Sequence, residues 1–95
     1  MPSRSMASMN IISTWRYTYR NGLIGQMEQC EHFIERQGVM AEDFRVTIFE
    51  PDGTTPVTAR QPQIQFAPVR ESAVVMADQW AGESSALADW TLIRP

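Results

Sequence analysis

The sequence contains no lysine, a single cysteine and a single histidine, and each shortage excludes a class of chemistry. One cysteine cannot form a disulfide within the chain, and a small domain without disulfides is typical of a reducing compartment. A structural zinc site needs four ligands and a catalytic site needs at least three. Since Cys30 and His32 are the only ligands of their types, we expect neither a metal site nor a cofactor.

Long apolar runs and catalytic motifs are also missing. No apolar run approaches the roughly 18 residues of a membrane span, and the opening decapeptide lacks the apolar core of a signal peptide. The five glycines form neither a dinucleotide-binding nor a P-loop motif. On a helix, Cys30 and His32 would point about 200° apart and could not act as nucleophile and base. These absences predict a cytoplasmic protein that is not an enzyme and has no contact with a membrane.

The charge balance argues against nucleic acid as the main partner. The net charge is −3 and the isoelectric point is near 5.0, whereas binding through phosphate neutralisation needs clustered cations. All eight cations are arginine, whose planar guanidinium forms bidentate contacts and is enriched at protein interfaces. The composition therefore favours a protein partner.

The stretch STWRYTYRNG, residues 13–22, alternates aromatic residues with polar or cationic ones. This alternation predicts a β-strand from Ile11 to Arg20 with two unlike faces. One face carries Trp15, Tyr17 and Tyr19, and the other carries Arg16 and Arg20. Because buried arginine is costly unless it is paired, we expect the aromatic face in the core and the arginines exposed or paired with carboxylates. The alternative is an exposed aromatic platform.

A helix is predicted from Leu23 to Gln37. Asn21 is positioned to cap it by accepting from a later backbone N–H, and Gly38 lies where a left-handed residue commonly ends a helix. Apolar residues recur at the helical spacing i, i+4, i+7 and i+11, and polar residues cover the remaining surface. The apolar stripe comprises Leu23, Met27, Cys30 and Ile34, widened by Ile24 and Phe33.

The segment FRVTIFEPDGTTPVTA predicts a hairpin that turns at EPDG. Its second arm is less regular, because Pro56 and Pro62 remove backbone donors. We expect this arm either at a sheet edge or split into Val57 to Arg60 and Gln63 to Phe66.

A second helix is predicted to begin near Pro68, with Gly82 kinking or ending it. One side of it carries Val69, Ala73, Met76, Ala77 and Trp80. The tail DWTLIRP predicts a short final strand. The resulting order, βαββα(β), is that of a ferredoxin-like α+β sandwich with two helices on one face of an antiparallel sheet. We assign residues 11–95 to one domain and 1–10 to a flexible arm.

The remaining signal is surface chemistry for association. Three tryptophans, two tyrosines and four phenylalanines, with arginine as the only cation, form the residue set enriched at binding hot spots. We predict a small bacterial regulatory protein, a homodimer, that binds another protein stoichiometrically, such as an anti-activator or inhibitor of a transcription factor. The predicted partner-binding residues are Arg16, Arg20, Phe49, Trp80 and Trp90. The alternatives are a small dimeric α+β barrel-type enzyme or ligand-binding module, and a sheet platform for RNA or single-stranded DNA.

Overall fold

The computed structural model describes residues 9–57 and 65–94, which form one antiparallel sheet with a single α-helix on one face. The strands are β1 (Met9–Thr18), β2 (Ile24–Ile34), β3 (Val39–Phe49), β4 (Gln65–Ala67) and β5 (Thr91–Arg94). The helix α1 spans Arg70–Ala81, and a 3-10 turn at Leu87–Asp89 precedes β5.

The strand order in the sheet is β4-β3-β2-β1-β5. The first four strands form a meander in which each strand is antiparallel to the previous one. The chain then passes through α1 from the β4 edge to the opposite edge, where β5 pairs with β1. β1, β2 and β3 are therefore the interior strands, and β2 is central.

The segment predicted as the first helix, Leu23–Gln37, is instead the central strand β2, so the ferredoxin-like arrangement with two helices is wrong. Met27 and Cys30 are both fully buried, and on a strand two residues three apart point to opposite faces. Because both faces of β2 are shielded at these positions, its apolar residues recur at intervals of three or four residues, which is also the spacing of an apolar stripe on a helix.

The turns on either side of β2 explain the two supposed helix caps. The backbone N–H of Leu23 donates to Asn21 Oδ1 (3.0 Å), and Gly22 has a φ of +92°. This is a tight β-hairpin turn, for which Asn-Gly is a strong signal. Gly38 adopts the expected left-handed conformation, with a φ of +67°, but it closes the turn between β2 and β3 by donating to Ile34 O (2.8 Å).

Several other predicted elements are present. The second predicted helix is α1, which ends at a left-handed Gly82, and the final strand is β5. The hairpin turn at EPDG is also formed, and β4 lies at a sheet edge as expected for the second arm. Residues 58–64 of that arm and residues 1–8 of the N-terminal arm lie outside the described residues. Met9 and Asn10, which were assigned to the arm, belong to β1.

The core lies between α1 and one face of the sheet. Its buried members include Met27, Val46, Ile48, Ala73 and Ala77. The aromatic face of β1 points into this layer, as the core interpretation expects: Tyr19 is buried, and Trp15 and Tyr17 pack partly buried against the cluster.

A hydrogen-bonded network connects the sheet to α1 and to the segment before β5. The Tyr19 hydroxyl and the Ser85 hydroxyl both donate to Asp78 Oδ1, each at 2.7 Å. Trp90 Nε1 in turn donates to Ser85 Oγ (2.9 Å). Burial, followed by the Asp78 contact, raises the pKa of Tyr19 far above its ordinary value. The network therefore fixes the C-terminal end of α1 against the sheet. The end of the sheet that carries the β2–β3 turn lies outside this packing.

Candidate interaction surface

α1 covers only part of the sheet face on which it packs. At its start, the Arg70 guanidinium lies 5.3 Å from the centre of the Trp15 ring. At its end, Asn21 Nδ2 donates to Ala81 O (2.9 Å), which places the last turn of the helix beside the β1–β2 turn. Beyond the level of Trp15 in the sheet, β2 and β3 extend toward the turn that joins them. This part of the sheet points away from the end that α1 covers.

The uncovered part of this face forms a continuous patch, which we call the hairpin surface. It consists of Glu31 and Phe33 on β2 and of Met40 and Glu42 on β3. The register pairs Phe33 with Met40 and Glu31 with Glu42, and alternation from the buried Met27–Val46 pair puts all four on the α1 side. Phe33 is 45% exposed and Met40 is 52% exposed. The centre of the surface is therefore apolar.

The electrostatics of the hairpin surface are unbalanced. Like charges directly opposite each other on neighbouring strands are destabilising, and Glu31 lies opposite Glu42. Gln29 Nε2 donates to Glu42 Oε1 (3.0 Å), but no cation in the described part of the chain forms an ion pair with either carboxylate. Arg36 is exposed and, within the same ranges, also has no ion-pair partner. The apolar pair therefore has Glu31 and Glu42 on one side and, on the other, the turn that carries Glu35 and Arg36. None of these four charges has an ion-pair partner among the described residues.

On the opposite face of the sheet, Arg16 is fully engaged. Its Nε donates to Gln26 Oε1 (2.7 Å), and its Nη2 donates to Gly53 O (2.9 Å). Its guanidinium also lies 5.2 Å from the centre of the Phe49 ring. These contacts connect β1, β2 and the turn after β3, so the arginine stabilises the fold itself.

Two cross-strand side-chain contacts also lie on that face, between β2 and β3. Glu28 accepts from Arg45 Nε (2.8 Å), and His32 Nε2 lies 3.1 Å from Asp43 Oδ2. These carboxylates therefore have a partner across the strands, in contrast to Glu31 and Glu42 on the hairpin surface.

The expectation that Cys30 and His32 point apart was wrong, because alternation puts both on the same face of β2. A nucleophilic role for the thiol is nevertheless opposed by its environment, since Cys30 is fully buried and burial raises its pKa, whereas reactive thiols have a lowered pKa. Within residues 9–57 and 65–94, no three Cys, His, Asp or Glu side chains are grouped to hold a metal ion.

The five predicted partner-binding residues do not form one surface. Arg16 and Phe49 contact each other on the face away from α1. Trp80 packs partly buried against the core on the other side of the sheet, and Trp90 is only 6% exposed. Arg20 is exposed in the β1–β2 turn. Their contact with a partner stays a prediction, and burial gives Trp90 a structural role.

An open pocket of about 320 Å³ lies beside Arg20, between the β1–β2 turn and the segment after α1. Tyr17, Arg20, Glu83 and Ser84 line it. Because its two charged groups have opposite sign, the pocket has no preference for the charge of a ligand.

Sequence reasoning missed the hairpin surface because it placed Phe33 on the buried stripe of a helix. The Asn-Gly signal before β2, together with a glycine four residues after its end, could have identified two consecutive hairpin turns. No family model matches the chain, and comparison with curated proteins and with solved structures finds no match either. The described part of the chain contains no helix with the length and apolarity to span a membrane.

Proposed function

We propose that the protein is a small cytoplasmic regulator that binds another protein stoichiometrically through the hairpin surface, as an anti-activator or inhibitor does. The observation that carries this proposal is the exposed Phe33–Met40 pair beside the unneutralised Glu31–Glu42 pair. The cytoplasmic location is supported by the single cysteine, which is a buried free thiol.

The surface indicates the chemistry of its partner. Burying Phe33 and Met40 removes apolar area from water, at roughly 25 cal/mol per Å². An arginine or lysine of the partner beside the two glutamates would relieve their repulsion, which makes the contact selective as well as favourable. The partner therefore presents apolar side chains flanked by basic ones. The two glutamates would repel nucleic acid phosphates, so this surface does not favour RNA or DNA.

The experiment is affinity capture from a lysate of the native host, followed by mass spectrometry. The bait is compared with a Phe33→Ser/Met40→Ser variant, whose substitutions lie at exposed positions and should leave folding intact. Val75→Ser is the matched control, because Val75 is an exposed apolar residue on the outer side of α1. We expect one stoichiometric protein with the parent chain and the control, and its loss with the double variant.

Two outcomes would contradict the proposal. The first is a partner that the double variant captures as well as the parent chain does. The second is the absence of any stoichiometric protein together with a co-purified small molecule, which would favour the ligand-binding alternative and direct attention to the pocket beside Arg20.

A further inference from the structure

We infer that the pocket beside Arg20 binds a small zwitterion of the size of a free amino acid. The pocket lies at the end of the sheet that carries the β1–β2 turn, and the hairpin surface lies at the opposite end of β2. The inference therefore does not depend on the proposed function. The expected ligand carries a carboxylate and an ammonium group in one small molecule.

Two residues of opposite charge line this pocket without neutralising each other. Glu83 Oε1 accepts from the backbone N–H of Arg20 (2.9 Å), which holds the carboxylate at the wall of the pocket. The Arg20 guanidinium forms no ion pair with Glu83, and it has no other polar partner in residues 9–57 and 65–94. Because the Arg20 side chain is exposed and flexible, its guanidinium is free to pair with a carboxylate placed in the pocket.

This pair of charges favours a ligand that carries both signs. A zwitterion can form one contact with Arg20 and another with Glu83. A ligand with a single charge forms only one of these contacts and brings that charge close to the residue of like sign, which is unfavourable. The pocket therefore discriminates by the number of charges on the ligand, although it has no preference for the sign of a single charge.

Tyr17 adds an aromatic surface that is already ordered. Trp90 stacks on its ring with the centroids 5.8 Å apart, and the Tyr19 ring meets it nearly at a right angle with the centroids 4.9 Å apart. The hydroxyls of Tyr17 and Ser84 have no hydrogen-bond partner in the described part of the chain. An ordered ring loses little entropy when a ligand packs on it. We therefore expect an apolar side chain of the ligand to contact Tyr17.

The walls of the pocket are held in place without a ligand. Asn21 Nδ2 donates to Ala81 O (2.9 Å), and the backbone N–H of Ser85 donates to Asp78 Oδ2 (3.0 Å). These contacts join the β1–β2 turn to the end of α1 and anchor the segment that follows the helix. The volume of about 320 Å³ is at the lower end of the range of small-molecule pockets, which suits an amino acid. Because the pocket is open, we expect a dissociation constant of about 0.1 to 1 mM.

The probe is L-phenylalanine, compared with two analogues that each lack one charge. Phenethylamine lacks the carboxylate, and 3-phenylpropionate lacks the ammonium group. Titrations followed by ¹H–¹⁵N NMR measure the dissociation constants, and the Arg20 amide reports on the pocket directly because it donates to Glu83. We expect phenylalanine to bind about fivefold more tightly than either analogue, with the largest shifts at Arg20 and Ser84.

Two conservative variants assign the charge contacts. Arg20→Gln keeps the backbone N–H, and Glu83→Gln keeps an oxygen that can accept from it, so both should fold. Arg20→Gln should bind phenylalanine no more tightly than phenethylamine, and Glu83→Gln should bind it no more tightly than 3-phenylpropionate. The matched controls are Arg94→Gln and Glu71→Gln, which remove the same charges at exposed positions outside the lining of the pocket. They should bind as the parent chain does.

Three results would overturn the inference. The first is the absence of a saturable shift at Arg20 with phenylalanine at about 10 mM, which is ten times the weakest dissociation constant expected. The second is equal binding of the three compounds, and the third is a preference that both variants retain. None of these results affects the capture of a protein through Phe33 and Met40, so the two proposals fail separately.

Discussion

Replacing Gly25 by alanine tests the packing of β2 directly. Gly25 lies in the central strand beneath the Trp90 ring, and an added Cβ would lie 2.6 Å from Trp90 Cη2 and 3.1 Å from Tyr19 Cε2. Carbon atoms in contact are normally about 3.5 to 4.0 Å apart, so the indole must move by about 1 Å. It has little room, because Tyr17 stacks on it and Ser85 accepts a hydrogen bond from it.

We expect Gly25→Ala to destabilise the protein by about 2 kcal/mol, within the range of overpacked cores. For a domain of this size, that lowers the melting temperature by about 10 °C. Circular dichroism melts and urea titrations would measure the change. The control is a double-mutant cycle with Trp90→Phe, whose smaller ring removes the overlapping atoms. In that background, Gly25→Ala should cost less than about 0.5 kcal/mol. An equal cost in both backgrounds, or no cost in the parent chain, would refute the proposed packing.

Two further predictions concern the network around Asp78. Asp78→Asn should lower the free energy of unfolding by about 1 to 3 kcal/mol. The Asp78 carboxylate accepts from Tyr19, from the Ser85 hydroxyl and from the Ser85 backbone N–H, and an amide nitrogen cannot accept. Urea titration is the measurement, and Asp89→Asn at an exposed position is the control. Because the pKa of Tyr19 is raised in the folded state, the stability that this shift contributes is complete below pH 10 and is lost above it, at about 1.4 kcal/mol per pH unit. Tyr19→Phe should flatten the stability profile between pH 10 and 11, and an unchanged slope would contradict this origin.

The elements that sequence reasoning placed correctly are those whose local signals agree with their environment. Helix α1 combines a proline before its first turn, small residues that approach the sheet closely and Gly82 at its end. The EPDG turn has its proline and glycine at the positions that the turn requires. For these segments, local propensity and tertiary packing favour the same conformation.

The prediction for β2 is wrong because its local propensity and its tertiary packing favour different conformations. Its polar residues, among them Gln26, Glu28, Gln29 and Glu31, are good helix formers, and nothing local opposes a helix. Their partners are far apart in the sequence: Gln26 accepts from Arg16, Glu28 from Arg45, and Gln29 donates to Glu42. Such cross-strand pairs form only once three strands are assembled, so they cannot be predicted from the sequence of β2 alone. Tertiary pairing therefore overrides helix propensity in this segment.

This error also determines where a binding surface was expected. On a helix, Glu31 and Phe33 are about 200° apart, so one is solvated and the other packs in the core. On a strand they share a face, and the register with β3 adds Met40 and Glu42 to it. Of the aromatic residues predicted as contacts, Trp90 packs in the core and Phe49 lies against Arg16, and their contact with a partner stays a prediction. Phe33, which the helical interpretation buried, is exposed in the structure and is central to the proposed surface. The functional proposal therefore depends on the pairing of β2 with β3, and disruption of that pairing would remove the surface together with the fold.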